Sequence, residues 1–205
     1  MAKIKFTKGE LKKQRDGLKQ FRRYLPTLLL KKQQLQMKIL EARKVLDERQ
    51  AALNSKVDSI EPWAGLLAEP HIDLKAWITP ERIDTTCVNI AGASVPVFEK
   101  VHFKPVEYDF YTTPFWLDRG IEEIRLFMTL RAEVDIIKEQ IRVLEKELRT
   151  TTQRVNLFEK IMIPECLDNI RQIRIYLGDQ QANAVGISKV AKKKVDARNL
   201  EEALV

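Results

Sequence analysis

Little in this sequence can perform covalent chemistry. Its 205 residues hold two cysteines and two histidines. Cys87 and Cys166 lie far apart with no metal-ligand spacing, which reads as free thiols of a cytosolic protein rather than a disulfide or a metal site. Neither His71 nor His102 has a ligand or base partner nearby, and His102, alternating with Lys100 and Lys104, reads as a solvent-facing strand position. The seven glycines are too scattered to cradle a nucleotide, and no phosphate-loop, dinucleotide or H-E-x-x-H pattern occurs. Pairs such as Glu122 and Glu123, or Glu145 and Glu147, sit among balancing Lys and Arg and read as solvated helix faces. No catalytic residue, cofactor site or metal site is expected. Nor is a membrane span: the longest uncharged run, Thr85 to Phe98, contains Thr, Asn, Ser and Pro and falls short of the ~20 apolar residues a span needs. The basic start, Met1 to Lys8, lacks the apolar centre of a secretory signal, so a cytoplasmic location is expected.

What the chain does have is periodicity. One heptad position reads Leu11, Leu18, Leu25, Lys32, Ile39, Leu46, Leu53, Ile60, interrupted only at Lys32. Farther on, Val134, Ile137, Ile141, Leu144, Leu148, Thr151, Val155, Phe158 and Met162 form a second seam, which slips phase to Ile163, Cys166, Ile170, Ile173 and Leu177. Sustained heptads favour a coiled coil over a globular core. The expected fold is mostly α: a long antiparallel two-helix coiled coil with a small head containing a β-hairpin. At ~1.5 Å per residue each helix would run roughly 80–90 Å, a rod with a tip where both termini meet and a head at the connection.

Four segments follow: an N-terminal helix over 1–60, a head over 61–118, a C-terminal helix over 119–178 and a basic tail over 179–205. In the head, Pro62, Pro70, Pro80, Pro96, Pro105 and Pro114 exclude long helix. Cys87–Ile90 and Val95–Phe103 read as strands joined by Ala91-Gly92-Ala93-Ser94, a hairpin over about 87–103. Alternation puts Val95, Val97, Val101 and Phe103 on one face, Glu99 excepted. That face needs cover from the coil, from Trp63 and Trp77, or from a partner, since a lone hairpin is marginal in water. Val95, Val97, Phe98, Val101 and Phe103 are therefore the candidate partner-facing hairpin residues. Pro26 and Pro164 interrupt the two helices and are candidate bends. A register that pairs them would set Leu11 near Asp179 and Ile60 near Leu130. The tail is expected to be frayed or ordered by a partner, with a short helix over Asp196–Leu204.

Charge is uneven. Residues 1–32 carry +9 and the rest −2 of a net +7. If the helices are antiparallel, Lys189, Lys192, Lys193 and Lys194 return to the same end. A positive end attracts polyanions or an acidic protein surface, with Lys12, Lys13, Arg22 and Arg23 as candidates. A basic coiled-coil module for nucleic acid or anionic membrane surfaces and a purely structural coil stay open on these grounds.

The stretch Gln153 to Ile170 resembles the R-V-N-A-L-E-x-x-x-I-P-x-L-x-x-x-I signature of the D subunit of vacuolar- and archaeal-type rotary ATPases, matching at Arg154, Val155, Asn156, Glu159, Ile163 and Pro164. Thr7 to Leu11 resembles the family's T-x-x-E-L opening, and Asn89-Ile90-Ala91-Gly92 followed by Val95-Pro96 its N-I-x-G-x-x-x-P element. Pro26, where the first helix of familiar members usually runs on, and Cys166, where a basic residue is common, look like a bacterial branch. The resemblance implies a non-catalytic axle. Its coil would enter a hexamer of catalytic and regulatory subunits (A and B). Its head, with the small F subunit of the stalk, would dock on the membrane-rotor adaptor (C/d type). ATP hydrolysis or synthesis would thereby be coupled to proton or sodium translocation, peripheral to the inner membrane. Neither nucleic acid nor direct membrane insertion is expected of such an axle.

Overall fold

The computed structural model describes residues 5–68, 74–106 and 114–202; Lys3, Pro70 and His71 lie outside them. Helix α1 (Lys8–Ile60) is followed by a 3-10 segment (Glu61–Ala68), a single turn α2 (Lys75–Ile78), strands β1 (Pro80–Ile90) and β2 (Ala93–Phe103), and helix α3 (Leu117–Leu157). A π-helical turn (Phe158–Met162) then leads into α4 (Ile163–Glu202). The fold is mostly α, with antiparallel coiled-coil helices and one antiparallel hairpin. Thr7 caps the first helix, its Oγ1 accepting the Glu10 N–H at 3.2 Å, as the T-x-x-E opening allows. The chain forms two compact units, Leu30–Thr152 and Met1–Leu29 with Gln153–Val205.

Within Leu30–Thr152, the core joins Leu35 and Ile39 of α1, Ala93 and Val95 of β2, and Leu144 of α3. Leu35, wholly buried, lies on the seam's companion row Phe21, Leu28, Leu35, Ala42, three residues after Leu18, Leu25, Lys32 and Ile39 of the seven-step series. A second cluster, Leu74, Leu117 and Ile121, packs with Trp77 and Trp116. Gly120 permits the close approach of Trp116, whose ring would stand 3.1 Å from any added Cβ. Four cations of α1 meet four anions of α3. Lys31 reaches Glu147 at 2.6 Å, Arg43 reaches Glu145 at 2.7 Å, Arg49 reaches Glu133 at 3.0 Å, and Lys56 pairs with Glu123. The Lys56 pair places the end of α1 beside Arg119 and Gly120, not beside Leu130.

The hairpin is longer than the sequence suggested, and its turn tighter. Only Ala91 and Gly92 form the turn, with φ of 50° and 83°; positive φ at both central residues is the mirror-image turn whose twist matches paired strands. The Asn89 Oδ1 accepts the Gly92 N–H at 2.8 Å and fixes it. The ladder slips between Asp84 and Thr85, pairing Asp84 with Lys100 and Thr85 with Phe98, so Glu99 is bulged out. A bulge shifts the side-chain phase by one. Val95 and Val97 therefore lie on one face, while Val101 and Phe103 lie on the other with Phe98, correcting the single-face expectation. Cover comes from within the chain. Val95 is fully buried against the coil and Val101 is buried on the opposite face, so neither offers its side chain to a partner. Val97, Phe98 and Phe103 are half-buried, and the Arg125 guanidinium sits 5.1 Å from the Phe103 ring centre.

Within Met1–Leu29 and Gln153–Val205, Val155, Cys166, Ile170 and Ile173 are buried, whereas Leu11, Leu18 and Leu25 are half-buried. Two aromatic contacts set the register: Phe21 with Phe158 at 5.2 Å and Phe6 with Tyr176 at 5.1 Å between ring centres. The expected pairing of Pro26 with Pro164 fails. From the Phe21–Phe158 contact the two prolines lie in opposite directions along antiparallel helices, about 16 Å apart at ~1.5 Å per residue. Leu11 likewise falls opposite the stretch near Arg171, not Asp179. The helix passes through Pro26, and Thr27 Oγ1 donates to the Tyr24 carbonyl at 2.7 Å. Before Pro164 the backbone widens instead. The Ile163 N–H bonds the Phe158 carbonyl, and this π-turn absorbs the missing proline donor. The extra residue in the turn is the physical source of the phase slip after Met162. The tail, expected to be frayed or ordered by a partner with a short helix over Asp196–Leu204, is continuous helix as far as Glu202, and Leu204 lies outside the described residues. Gly178 and Gly186 each cost only about 1 kcal/mol in an otherwise Ala- and Lys-rich stretch.

Candidate functional site

Among the described residues, no group of three or more His, Cys, Asp or Glu side chains could hold a metal, and no helix is long and apolar enough to cross a membrane. Several concave surfaces along the helices and the hairpin gather charged and aromatic side chains.

The most highly charged is a groove of about 600 Å³ between α1 and α4, lined by Arg15, Lys19 and Arg22 from one helix and Arg171 and Arg174 from the other, with Leu18, Leu167, Ile170 and Ile175 as its apolar part. Helical spacing of three and four puts Arg15, Lys19 and Arg22 on one face of α1. Among the described residues these five cations have no ion pair. Of the four basic residues singled out from sequence, only Arg22 belongs to this groove. Lys12 and Lys13 line a separate concavity of about 570 Å³ with Phe21, Met162 and Cys166, and Arg23 is exposed outside both. Sequence reasoning counts Arg15 and Lys19 in the basic run of residues 1–32 without singling them out, and it misses Arg171 and Arg174 because the α4 contribution depends on interhelical register, which the heptads leave open. Burial, with the adjacent Glu165 carboxylate second, pushes the Cys166 thiol up, so it stays protonated and inert.

Near the C-terminal end of α1, Lys56, Trp63, Phe115, Trp116 and Glu123 line a cavity of about 540 Å³. Phe115 is fully exposed beside it. On the hairpin, the exposed His102 is not solitary, because its Nε2 lies 2.8 Å from Asp84 Oδ2 and Arg82 Nε lies 2.5 Å from Oδ1. Burial raises the Asp84 carboxyl, but hydrogen bonds from His102 and Arg82 and their charges outweigh it and hold the group below the usual carboxylate value.

A sequence model of the family described as the ATP synthase D subunit matches residues 10–193. A protein of Borreliella burgdorferi, named as the D subunit of a V-type ATP synthase, is 42% identical over 199 residues, 97% of this chain and 98% of the relative. Proteins of the same name from Chlamydia caviae and Chlamydia pneumoniae are 35% and 33% identical. The first alignment covers 98% of this chain and 97% of the relative, the second 95% and 94%.

Proposed function

Because the chain belongs to the family of the ATP synthase D subunit, we propose that it is the central rotor shaft of a V-type ATPase or ATP synthase, a non-catalytic component. It couples ATP hydrolysis or synthesis in a catalytic hexamer to proton or sodium translocation. The observation that carries this reading is the end of α4. Phe6 meets Tyr176 just before α1 begins, yet α4 continues to Glu202 with every residue from Gly178 to Asn199 exposed. Its apolar residues Val185, Ile187, Val190 and Val195 fall on no single face. An isolated helix with no buried stripe gains nothing from packing in water. Such a helix suits a socket that surrounds it, formed by the A and B subunits.

In this reading the five-cation groove faces the inner wall of that socket. The aromatic cavity around Trp63, Trp116 and Phe115 serves the membrane-rotor adaptor, and the small F subunit of the stalk binds the remaining coil or hairpin surface. The complex stands in the cytoplasm, peripheral to the membrane. An off-centre, locally widened shaft lets closure of one catalytic subunit push it sideways, with Pro26 and the Pro164 π-turn as the asymmetric points.

The test is native mass spectrometry of complexes captured through a tag near Gly65, which leaves both ends of the coil free. One copy of this chain with a hexameric ATPase and a small stalk protein supports the shaft; recovery of nucleic acid, lipid or self-association alone overturns it. Charge reversal at Lys12, Lys13, Arg22 and Arg23 is expected to uncouple the complex. The unpaired groove favours one second reading, a basic coil for nucleic acid or anionic membranes, for which salt-sensitive binding of the isolated chain to DNA or liposomes is the discriminating result.

A further inference from the structure

The two edges of the hairpin are chemically unlike. Pro96 has no N–H, so its pair with Cys87 is one of the non-hydrogen-bonded pairs of the antiparallel ladder, and alternation makes Asn89–Ser94 and Thr85–Phe98 non-bonded as well. The two-residue turn agrees, because it requires a bonded pair at Ile90–Ala93. The backbone groups of Ser94, Pro96 and Phe98 therefore point out from the β2 edge, and Pro96 removes the central donor there. Those of Thr85, Cys87 and Asn89 point out from the β1 edge with every donor and acceptor intact.

Proline and charge are the usual means of blunting a strand edge. Over the paired stretch Thr85–Ile90 β1 has neither proline nor charge, whereas β2 has Pro96 there; the charges of both strands, Glu81, Arg82 and Asp84 on β1 and Glu99 and Lys100 on β2, lie beyond it. Thr85, Thr86, Cys87, Val88 and Asn89 are all exposed, Val88 at 45%. The Asn89 end opens into a concavity of about 420 Å³ shared with α1, lined by Met37, Lys38 and Glu41 among others. Met37 is 61% exposed, an adaptable apolar surface for a side chain from outside.

We propose that the outer edge of β1 accepts an extended strand from another polypeptide. The strand pairs main chain to main chain with Thr85, Cys87 and Asn89 and lays a large apolar side chain against Met37, beside the Lys38–Glu41 ion pair of α1 (2.6 Å). Repeating outward donors and acceptors along an uncharged strand match only another strand. The proposal rests on the reading that this chain works inside a multi-subunit ATPase, which makes the occupant a segment of another protein of that complex rather than a second copy.

Amide hydrogen exchange of the full chain, alone and in the complex captured through it, tests this, with the composition of the complex counted separately by native mass spectrometry. The Thr85, Cys87 and Asn89 amides are expected to exchange freely in the isolated chain and to slow by about 100-fold or more in the complex, with Ser94 and Phe98 unchanged. Free exchange of the three amides in a complex that demonstrably contains this chain overturns the strand-pairing proposal and leaves the shaft reading intact. Protection already present in an isolated dimer assigns the edge to a second copy and also overturns it. Cys87→Pro, which removes an outward N–H without removing a ladder hydrogen bond to β2, is expected to reduce complex recovery by about 10-fold. Cys87→Ser keeps that N–H and is expected to recover like the unaltered chain; equal recovery of both variants, each with an unchanged far-ultraviolet dichroism spectrum, counts against the proposal.

Discussion

The two compact units build the same kind of helix pair from opposite electrostatics. In Leu30–Thr152 four cations of α1 each meet an anion of α3, and Leu35, Ile39, Val95 and Leu144 form a buried core. Where Met1–Leu29 packs with Gln153–Val205, Arg15, Lys19, Arg22, Arg171 and Arg174 gather with no ion pair among the described residues, and no described residue of α1 there is fully buried. A heptad seam thus suffices to pair helices in both, but only one unit neutralises its own charge. The other retains mutual repulsion, which costs stability, and exposes a cationic surface that a bound partner can neutralise.

Core truncation separates the units most. Leu35→Ala should cost about 3–4 kcal/mol in urea unfolding, against about 1–2 kcal/mol for the half-buried Leu25→Ala; equal losses break the comparison. Gly92→Val forces a branched side chain to φ of 83° and should cost about 1–2 kcal/mol, seen as loss of the hairpin's exchange protection. Charge reversals should differ in sign. Glu147→Lys faces Lys31 with a like charge and should destabilise by about 1 kcal/mol at low salt. Arg171→Glu relieves the groove and should stabilise the isolated chain by a few tenths of a kcal/mol. Both effects should fade in 1 M NaCl. The smallest effect is the Asp84 contribution. Its carboxyl is held low by His102 and Arg82, so the stabilisation is complete above the unfolded value near 3.8 and disappears as pH falls through the folded value. Urea unfolding at a series of acid pH values checks it, and Asp84→Asn should flatten the response.

Much of this is legible in the residues alone. The leucine series from Leu11 to Ile60 and the seam from Val134 to Met162 predict the helices, and Asn89 to Gly92 predicts the hairpin's position. The tight turn is hidden because Ala91 at positive φ is a conformation alanine rarely adopts. The bulge at Glu99 is hidden too, because alternation alone does not reveal where a ladder gains a residue. The companion row Phe21, Leu28, Leu35 and Ala42 is there to be read, and it leads to the most buried residue of α1.

By itself the sequence determined the two long helices, their antiparallel return and the place of the hairpin between them. Tertiary structure decided the register, and with it which charges are paired and which are bare. The reason lies in the heptad itself. Sliding one helix past another by seven residues restores the same apolar seam, so the pattern that predicts a coiled coil is nearly blind to its alignment. The alignment is set by features that do not repeat: Phe21 against Phe158, Lys31 against Glu147, and the π-turn before Pro164.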